Sequence, residues 1–223
     1  MVSLLNVSQI NLMLIVGAKG HAIEILQCLS PLEREQAVFF DDVTQNQPDL
    51  VLGKYKLLRT ATAAQVYLAT IDSRFVLGLG GPMLRLRLAK QFKHWGGLLT
   101  TVIAPTAAID PLITKLGEGL NIMHHTMVAL SARIGDGVLI NAGATVHHDT
   151  QVGDYCEISP GVRLLGRCQL GMGCQVGALA AVLPDVVVGD HVVIGAGAVV
   201  TRNVPAGSVV AGIPARPIHH SIK

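Results

Sequence analysis

The C-terminal half of the chain carries an aliphatic residue at every sixth position. The run has fifteen members without interruption, and its chance probability in a chain this rich in Leu, Val and Ile is on the order of one in ten million. A fixed short period of this kind indicates a repeat architecture. The members are Leu116, Ile122, Val128, Ile134, Ile140, Val146, Val152, Ile158, Leu164, Leu170, Val176, Val182, Val188, Ile194 and Val200.

A second position in each repeat, four places after the aliphatic one, is restricted to small or apolar residues. Two inward positions separated by turn-forming Gly, Asp and Asn predict a short strand and a corner. Three strands close one triangular coil, so residues eighteen apart are stacked, and the residues from Leu116 to Pro205 make five coils. Cys156, Cys168 and Cys174 occupy inward positions, which predicts core residues rather than metal ligands.

The N-terminal half alternates apolar strands with amphipathic helices, which predicts a small α/β domain. A continuous apolar strand over residues 12–16 leads through a glycine turn into a helix that ends at Ser30. A second strand covers residues 37–40, and a third runs over residues 75–79. We expect a Rossmann-like arrangement of these elements.

A further helix begins at Pro82, a residue that favours the first turn of a helix. It is predicted to carry one apolar face, formed by Leu84, Leu88, Phe92 and Trp95. We therefore expect two domains, an α/β domain over residues 1–98 and a β-helix domain over residues 99–218.

The glycine turn after the first strand, Gly17 to His21, is typical of a phosphate site. Free amides and the positive end of a helix dipole attract phosphate there, and Lys19 adds a charge. Asp41 and Asp42 follow the second strand, where α/β nucleotide-binding domains place acids against ribose or base. The motif lacks a full GxGxxG and the domain is half of a dinucleotide fold, so we expect a mononucleotide rather than NAD. A purely structural turn is the alternative.

Composition narrows the class of protein. Charged residues make up 14% and apolar residues 50% of the chain, so we expect a partner subunit to cover part of the surface. The net charge of +2 is spread without a basic run, which disfavours nucleic acid and anionic membranes as partners.

The longest apolar stretch contains Asp190 and His191 and is too short to span a bilayer. The four cysteines form no CxxC pair and no export signal is visible, which indicates a cytoplasmic protein with reduced thiols.

His148 is the histidine best placed for chemistry. It lies two residues after an inward position, at a corner of the coil that a side-by-side trimer would place in the cleft between subunits. A neutral imidazole there suits a general base, and Asp149 can orient it. Gly166 lies eighteen residues later, one coil above, where its amide can stabilise an oxyanion. His124 and His125 occupy comparable corners and remain rivals.

These residues together resemble the sialic-acid O-acetyltransferase-like sugar acyltransferases, which include bacterial N-acetyltransferases of UDP-linked 4-amino-sugars. The resemblance covers nearly the whole chain. It lies in the 15–21 strand and turn, in Phe39-Phe40-Asp41-Asp42, in the turn at Gly80, in the repeat with His148-Asp149, and in the closing 211–217 segment, Ala-Gly-Ile-Pro-Ala-Arg-Pro.

The resemblance implies a left-handed β-helix, a homotrimer, and acetyl-CoA bound as co-substrate between neighbouring subunits, with no metal. His148 then corresponds to the catalytic base and Asp149 to its acidic neighbour. The implied sugar-nucleotide contacts are Lys19, Gly20, His21, Asp41, Asp42 and Gly80. The implied coenzyme contacts are Glu157, Gly166, Ala178 and Ala196, although relatives can carry a histidine where Glu157 stands.

Acetylation of an amino group on a nucleotide-linked sugar is the predicted reaction. O-acetylation of a sialic-acid-type sugar is the first alternative, because the sequence does not separate an amine from a hydroxyl acceptor. A metal hydratase of the carbonic-anhydrase type is a second, although the chain lacks the His-x4-His spacing expected for it. A non-catalytic oligomeric scaffold is the third.

Overall fold

The computed structural model describes residues 13–45, 48–110 and 114–218 of the chain. Leu12, the predicted first residue of the first strand, lies outside the described residues. The strand itself is present and completely buried from residue 14 to residue 16. It is the centre of an N-terminal α/β domain, and a parallel β-helix follows that domain in the chain.

The N-terminal domain is built on one six-stranded sheet with the strand order β3-β4-β2-β1-β5-β6. All neighbouring strands are parallel except the β3-β4 pair. In chain order the elements are β1 (Leu14–Val16), α1 (Gly20–Cys28), α2 (Pro31–Glu35), β2 (Val38–Phe40), β3 (Leu50–Val51), β4 (Tyr55–Leu58), α3 (Ala61–Thr70), β5 (Arg74–Leu77), α4 (Pro82–His94) and β6 (Leu98–Leu99).

The predicted strands of this domain are present, but the sequence pattern predicted no element between the second strand and the third. Strand β4 and helix α3 fall in that gap, where the strand is short and the helix has no clear apolar stripe. The first helix also ends earlier than predicted, at Cys28. Ser30 caps α2 instead, through a capping box with Glu33.

The predicted apolar face of α4 is only partly correct. The fully buried positions are Pro82, Arg85, Ala89 and Phe92, whereas Leu84 is 39% exposed. A helix turns by about 100° per residue, so the buried stripe passes through Arg85 instead of Leu84. The arginine therefore enters the interior between the two domains, a position that hydrophobic pattern alone does not predict.

The β-helix has three faces made of two- or three-residue strands. The first face contains β7 (Val102–Ile103), β10 (Asn121–Ile122), β13 (Leu139–Ile140), β16 (Glu157–Ile158), β19 (Gln175–Val176), β22 (Val193–Ile194), β24 (Val209–Ala211) and the antiparallel β25 (Arg216–Pro217). The second face contains β8 (Ala108–Ile109), β11 (Met127–Val128), β14 (Thr145–Val146), β17 (Arg163–Leu164), β20 (Ala181–Val182) and β23 (Val199–Val200). The third face contains β9 (Lys115–Leu116), β12 (Arg133–Ile134), β15 (Gln151–Val152), β18 (Gln169–Leu170) and β21 (Val187–Val188).

The predicted interior of the β-helix is confirmed at all positions but one. Fourteen of the fifteen aliphatic residues and all the small residues four places later are buried. The exception is Leu116, which is 37% exposed. Its strand, β9, is the end strand of the third face, so no further coil covers it on that side. Cys156, Cys168 and Cys174 are completely buried in this interior, as predicted.

The N-terminal domain packs on the first face of the β-helix. Met123 and Leu139 from that face are buried in the same core as Ile15 and Ile25, and Tyr155 joins the core on the other side of the sheet. Both neighbouring edges of the first face also contact the domain. As a result the first face is covered over the coils from β7 to β16, whereas the edge between the second and third faces lies on the opposite side of the prism.

No helix in residues 13–45, 48–110 and 114–218 combines the length and the hydrophobicity that a membrane span requires.

Candidate active site

His148 lies at the edge between the second and third faces, directly after strand β14. Its ring Nδ1 is 2.9 Å from Asp149 Oδ2, and the two side chains are 55% and 54% exposed. A carboxylate only accepts hydrogen bonds, so this contact places the imidazole proton on Nδ1. In the neutral form of the ring, Nε2 is then the nitrogen without a proton, and it can take one from a substrate.

Gly166 stacks directly on this imidazole from the next coil. A Cβ atom at Gly166 would lie 2.7 Å from both Cε1 and Nε2 of His148, closer than side chains tolerate. The Gly166 N–H makes no hydrogen bond within the described residues. The neighbouring amides of Leu165 and Arg167, in contrast, donate to the carbonyls of Val182 and His148. The residue that packs against Nε2 of His148 therefore carries an amide without a partner among the described residues, an arrangement that suits acyl transfer.

The rival histidines lie on a different edge and differ in their contacts. His124 is held through both ring nitrogens, by the Thr106 hydroxyl at 2.8 Å and the Gln27 carbonyl at 3.1 Å. It therefore joins the N-terminal domain to the β-helix. His125 is exposed beside it, with a left-handed backbone at φ 59°. His148 is the one of the three that pairs with a carboxylate.

The four residues expected to contact the coenzyme do not cluster within one chain. Gly166 belongs to the edge between the second and third faces, whereas Ala178 and Ala196 follow β19 and β22 at the edge between the first and second faces. Glu157 points away from both edges. Its Oε2 accepts a 2.6 Å hydrogen bond from the Gly81 amide in the N-terminal domain.

A cleft of about 330 Å³ opens at the carboxyl ends of β1 and β2. Lys19, Asp41 and Asp42 line it, together with Gly17 from the predicted phosphate turn. Gly17 has a φ of 108°, and a Cβ there would lie 2.8 Å from the Gly78 carbonyl, so only glycine fits this crossing of two turns. The cleft is thus lined by a lysine at a helix N-terminus and by two acids.

Asp41 is ionised and already engaged by its own loop. Burial would raise the pKa of its carboxyl, but hydrogen bonds from the Thr44 amide and hydroxyl and the Val43 amide, together with the charge of Lys19, hold that pKa below its ordinary value. One oxygen accepts the amides of Val43 and Thr44 at 3.0 and 2.9 Å. The carboxylate therefore shapes the 41–44 loop as well as adding charge to the cleft.

The remaining expected acceptor contacts do not line this cleft. His21 turns toward the β-helix, and its Nε2 lies 3.1 Å from Asn121 Nδ2. Gly80 lies against the Glu157 carboxylate, and Gly20 is the exposed first residue of α1. Sequence reasoning missed Asn121 and Arg85 in this region. An asparagine beside the inward Ile122, at a position that outward residues occupy, was the available signal.

Two protein-family models match the two halves of the chain. The PglD N-terminal domain matches residues 13–92, and the six-repeat bacterial transferase hexapeptide model matches residues 131–166 and 167–202. The chain thus combines a PglD-type N-terminal domain with bacterial transferase hexapeptide repeats, and it is an acyltransferase. This assignment confirms the resemblance seen in the sequence and the predicted fold, a Rossmann-like domain followed by a left-handed parallel β-helix.

Solved structures of such acyltransferases superpose on nearly the whole chain. One is a histidine-to-asparagine variant of perosamine N-acetyltransferase from Caulobacter crescentus in complex with CoA and GDP-perosamine. It is 28% identical with a TM-score of 0.85, and the match covers 93% of this chain and 97% of that one. Another is the acetyltransferase domain of PglB from Neisseria gonorrhoeae in complex with acetyl coenzyme A, at 28% identity, TM-score 0.81 and coverage of 92% and 98%. A search of curated protein sequences gives no match.

Among the described residues of this acyltransferase, no three His, Cys, Asp or Glu side chains are grouped so that they could hold a metal ion.

The stacking of Gly166 on His148 leads to a first prediction. Gly166→Ala places a methyl group where the imidazole now lies, so the ring must move by roughly 1 Å, and we expect acetyl transfer to slow by about 10²-fold. The measurement is turnover in both backgrounds of a double-mutant cycle. In a His148→Ala background the Gly166→Ala change should cost nothing further, and a full additional loss there would show that the glycine does not act through the ring.

Proposed function

We propose that this enzyme transfers the acetyl group of acetyl-CoA to an amino group of a nucleotide-linked sugar, with His148 as general base. The observation that carries this proposal is the pairing at the edge of the β-helix. There, Asp149 engages Nδ1 of His148, so Nε2 is the nitrogen available to a substrate, and Gly166, whose amide has no partner among the described residues, packs against the ring. The similarity to structures with CoA, acetyl-CoA and GDP-perosamine bound supports the choice of both substrates.

The reaction needs no covalent intermediate on the protein. The acceptor nitrogen attacks the thioester carbonyl while Nε2 of His148 takes a proton from that nitrogen. Asp149 stabilises the resulting imidazolium through Nδ1. The Gly166 N–H donates to the carbonyl oxygen as negative charge develops on it. When the C–S bond breaks, the imidazolium returns the proton to the CoA sulfur, which leaves as the thiol.

The coenzyme is proposed to lie between the β-helices of two neighbouring subunits. Gly166 of one subunit would contact the thioester, and Ala178 and Ala196 of the other would flank the rest of the molecule. The two alanines are eighteen residues apart and their small side chains leave their edge of the β-helix open, which suits a long flexible ligand. Glu157 is already bonded to the N-terminal domain, so we assign it to the acceptor side instead of the coenzyme.

The acceptor is proposed to bind in the N-terminal cleft. Lys19 and the amides of Gly20 and His21 at the start of α1 suit a diphosphate, and Asp41 and Asp42 suit the hydroxyl groups or the base of the nucleotide. Gly80, next to the junction with the β-helix, would approach the sugar. In this arrangement the nucleotide lies in the cleft, and the sugar with its reacting amine extends out of it.

A homotrimer is proposed because one chain keeps its acceptor cleft and its base apart. The N-terminal domain covers the first face, and His148 lies on the opposite edge of the prism. Side-by-side packing of prisms would bring the His148 edge of one subunit to the N-terminal domain of the next, so each active site would need two chains.

Exposed apolar side chains on the second face support this packing. Leu130 is 46% exposed at one edge of that face, one coil below His148, and Leu179 is 74% exposed at the other. Large apolar groups of this kind on both edges of one face are typical of a surface that another subunit covers.

The central test of the function is the loss of the base. His148→Ala should lower turnover by about 10²-fold or more, because the amine proton then has no acceptor, while the affinity for acetyl-CoA stays within about twofold. Release of the CoA thiol measures turnover, and calorimetry measures binding. The matched control is His191→Ala, which removes an exposed corner histidine from another edge. Near-normal turnover of His148→Ala would refute the assignment.

The nature of the acceptor atom is tested by the product. An amide resists mild alkali that cleaves an ester, so we expect the transferred acetyl group to survive such treatment of the acetylated nucleotide sugar. Mass spectrometry before and after alkali measures this. An acetyl group that is lost would support O-acetylation, the closest alternative, on the same fold and with the same base.

A further inference from the structure

A hydrogen-bonded network fills the junction between the two domains beside the acceptor cleft. Its centre is Arg85 of α4, a buried cation with no exposed surface. Burial lowers the pKa of its guanidinium to about 10, against the opposing influence of Glu157 and Tyr155, so it remains charged at neutral pH. A buried charge is costly unless all its donors are satisfied, and here they are.

The donors of Arg85 hold the turn after β5. Nη1 donates to the carbonyls of Leu77 and Leu79, at 3.0 and 2.9 Å, on the two sides of Gly78. Nε and Nη2 donate to the Gly137 carbonyl of the β-helix, at 3.1 and 3.0 Å. Gly78 and Leu79 line the acceptor cleft. One side chain therefore ties a wall of the cleft to the β-helix.

Asn121 of the β-helix extends this network to the start of α1. Its Oδ1 faces Arg85 Nη2 at 3.4 Å, and its Nδ2 donates to the Leu77 carbonyl at 2.8 Å. Because arginine only donates and a carbonyl only accepts, the orientation of the amide is determined. Nδ2 must then also donate to His21 Nε2, 3.1 Å away, which requires that nitrogen to be unprotonated.

His21 is thereby defined as a neutral imidazole with its proton on Nδ1, which faces Glu24 at 3.5 Å. Burial and the charge of Arg85 lower the pKa of its ring below the ordinary value of 6.5, although Glu24 and Glu157 oppose them, so electrostatics agree with the hydrogen bonding. The β-helix, through Asn121, thus determines which ring nitrogen of His21, in the first turn of α1, carries the proton.

Glu157 is a further connection between the β-helix and the cleft. Its Oε2 accepts the Gly81 amide at 2.6 Å, and its carboxylate lies against the space where a Gly80 side chain would be. Together with Arg85 it holds the turn over residues 77–81 from both ends.

We propose that Arg85 and Asn121 are positioning residues for the acceptor substrate. From inside the junction they hold the 77–81 turn and the first turn of α1, and they keep His21 neutral with its proton on Nδ1. The part of this proposal that concerns the acceptor rests on the proposed function, whereas the protonation pattern of His21 does not.

Asn121→Asp tests the proposal with little change of shape. A carboxylate cannot donate to Leu77 or to His21, so the turn loses a hydrogen bond and His21 must place a proton on Nε2. We expect the KM for the acceptor to rise about tenfold or more, the loss of about one or two hydrogen bonds, with the KM for acetyl-CoA and the kcat within about twofold. Nitrogen NMR of histidine-labelled protein should show Nε2 of His21 unprotonated in the wild type and protonated in the variant.

Two further variants complete the experiment. Arg85→Lys keeps the charge but loses the guanidinium fork that joins the Gly137 carbonyl to the carbonyls of Leu77 and Leu79, so it should raise the acceptor KM while His21 Nε2 stays unprotonated. It also serves as the decisive variant if Asn121→Asp does not fold. Asn203→Asp is the control, since it adds the same charge while its Oδ1 still accepts the Val187 amide.

The outcomes separate this proposal from the proposed function. A wild-type His21 with its proton on Nε2 would overturn the network, and this spectrum needs no substrate. Equal rises in both KM values, or a fall in kcat alone, would overturn the positioning role, because residues that merely stabilise the fold would not favour one substrate over the other.

Discussion

The stacking of eighteen-residue coils is the constraint on which the rest of this structure depends. Parallel ladder pairing joins Thr145 to Arg163 and Gln151 to Gln169, so in the coils around His148 each residue lies directly above the one eighteen places earlier. A side chain cannot leave its edge without breaking the ladder and exposing the aliphatic interior. The contact between Gly166 and His148 follows from this pairing, and so does the alanine column formed by Ala178 and Ala196.

The same stacking places the proposed acceptor cleft and the proposed base on different sides of the molecule. The first face receives the N-terminal domain because its outward positions are Asn121, Leu139 and Glu157, which pair with or pack against that domain. His148, the proposed base, lies on the opposite edge, where its imidazole is exposed. The proposed acceptor cleft and the proposed base lie on different sides of the prism, and an assembly of chains is the simplest way to join them.

The sequence predicted the features that depend on periodicity and missed those that depend on the junction. Aliphatic spacing was enough to place the interior residues and the stacking of Gly166, because the ladder keeps one register between Leu116 and Val200. The prediction that Leu116 is buried was wrong because Leu116 lies on an end strand. A six-residue period does not show where the stack of coils ends. Arg85 and Glu157 could not be placed from sequence, since a buried arginine and an outward glutamate acquire their roles only from carbonyls and amides of the other domain.

Mixed trimers provide the most direct test of the claim that each site is shared by two chains. Subunits with His148→Ala and subunits with Lys19→Glu, which reverses the charge at the acceptor cleft, can be co-expressed with different tags and purified on both. Each variant alone should be nearly inactive. If the cleft of one chain works with the base of the next, every mixed trimer contains one intact site and turnover should recover to about one third of the wild-type value. Mixed trimers that stay as inactive as the parents would show that cleft and base act within a single chain, and would contradict the account.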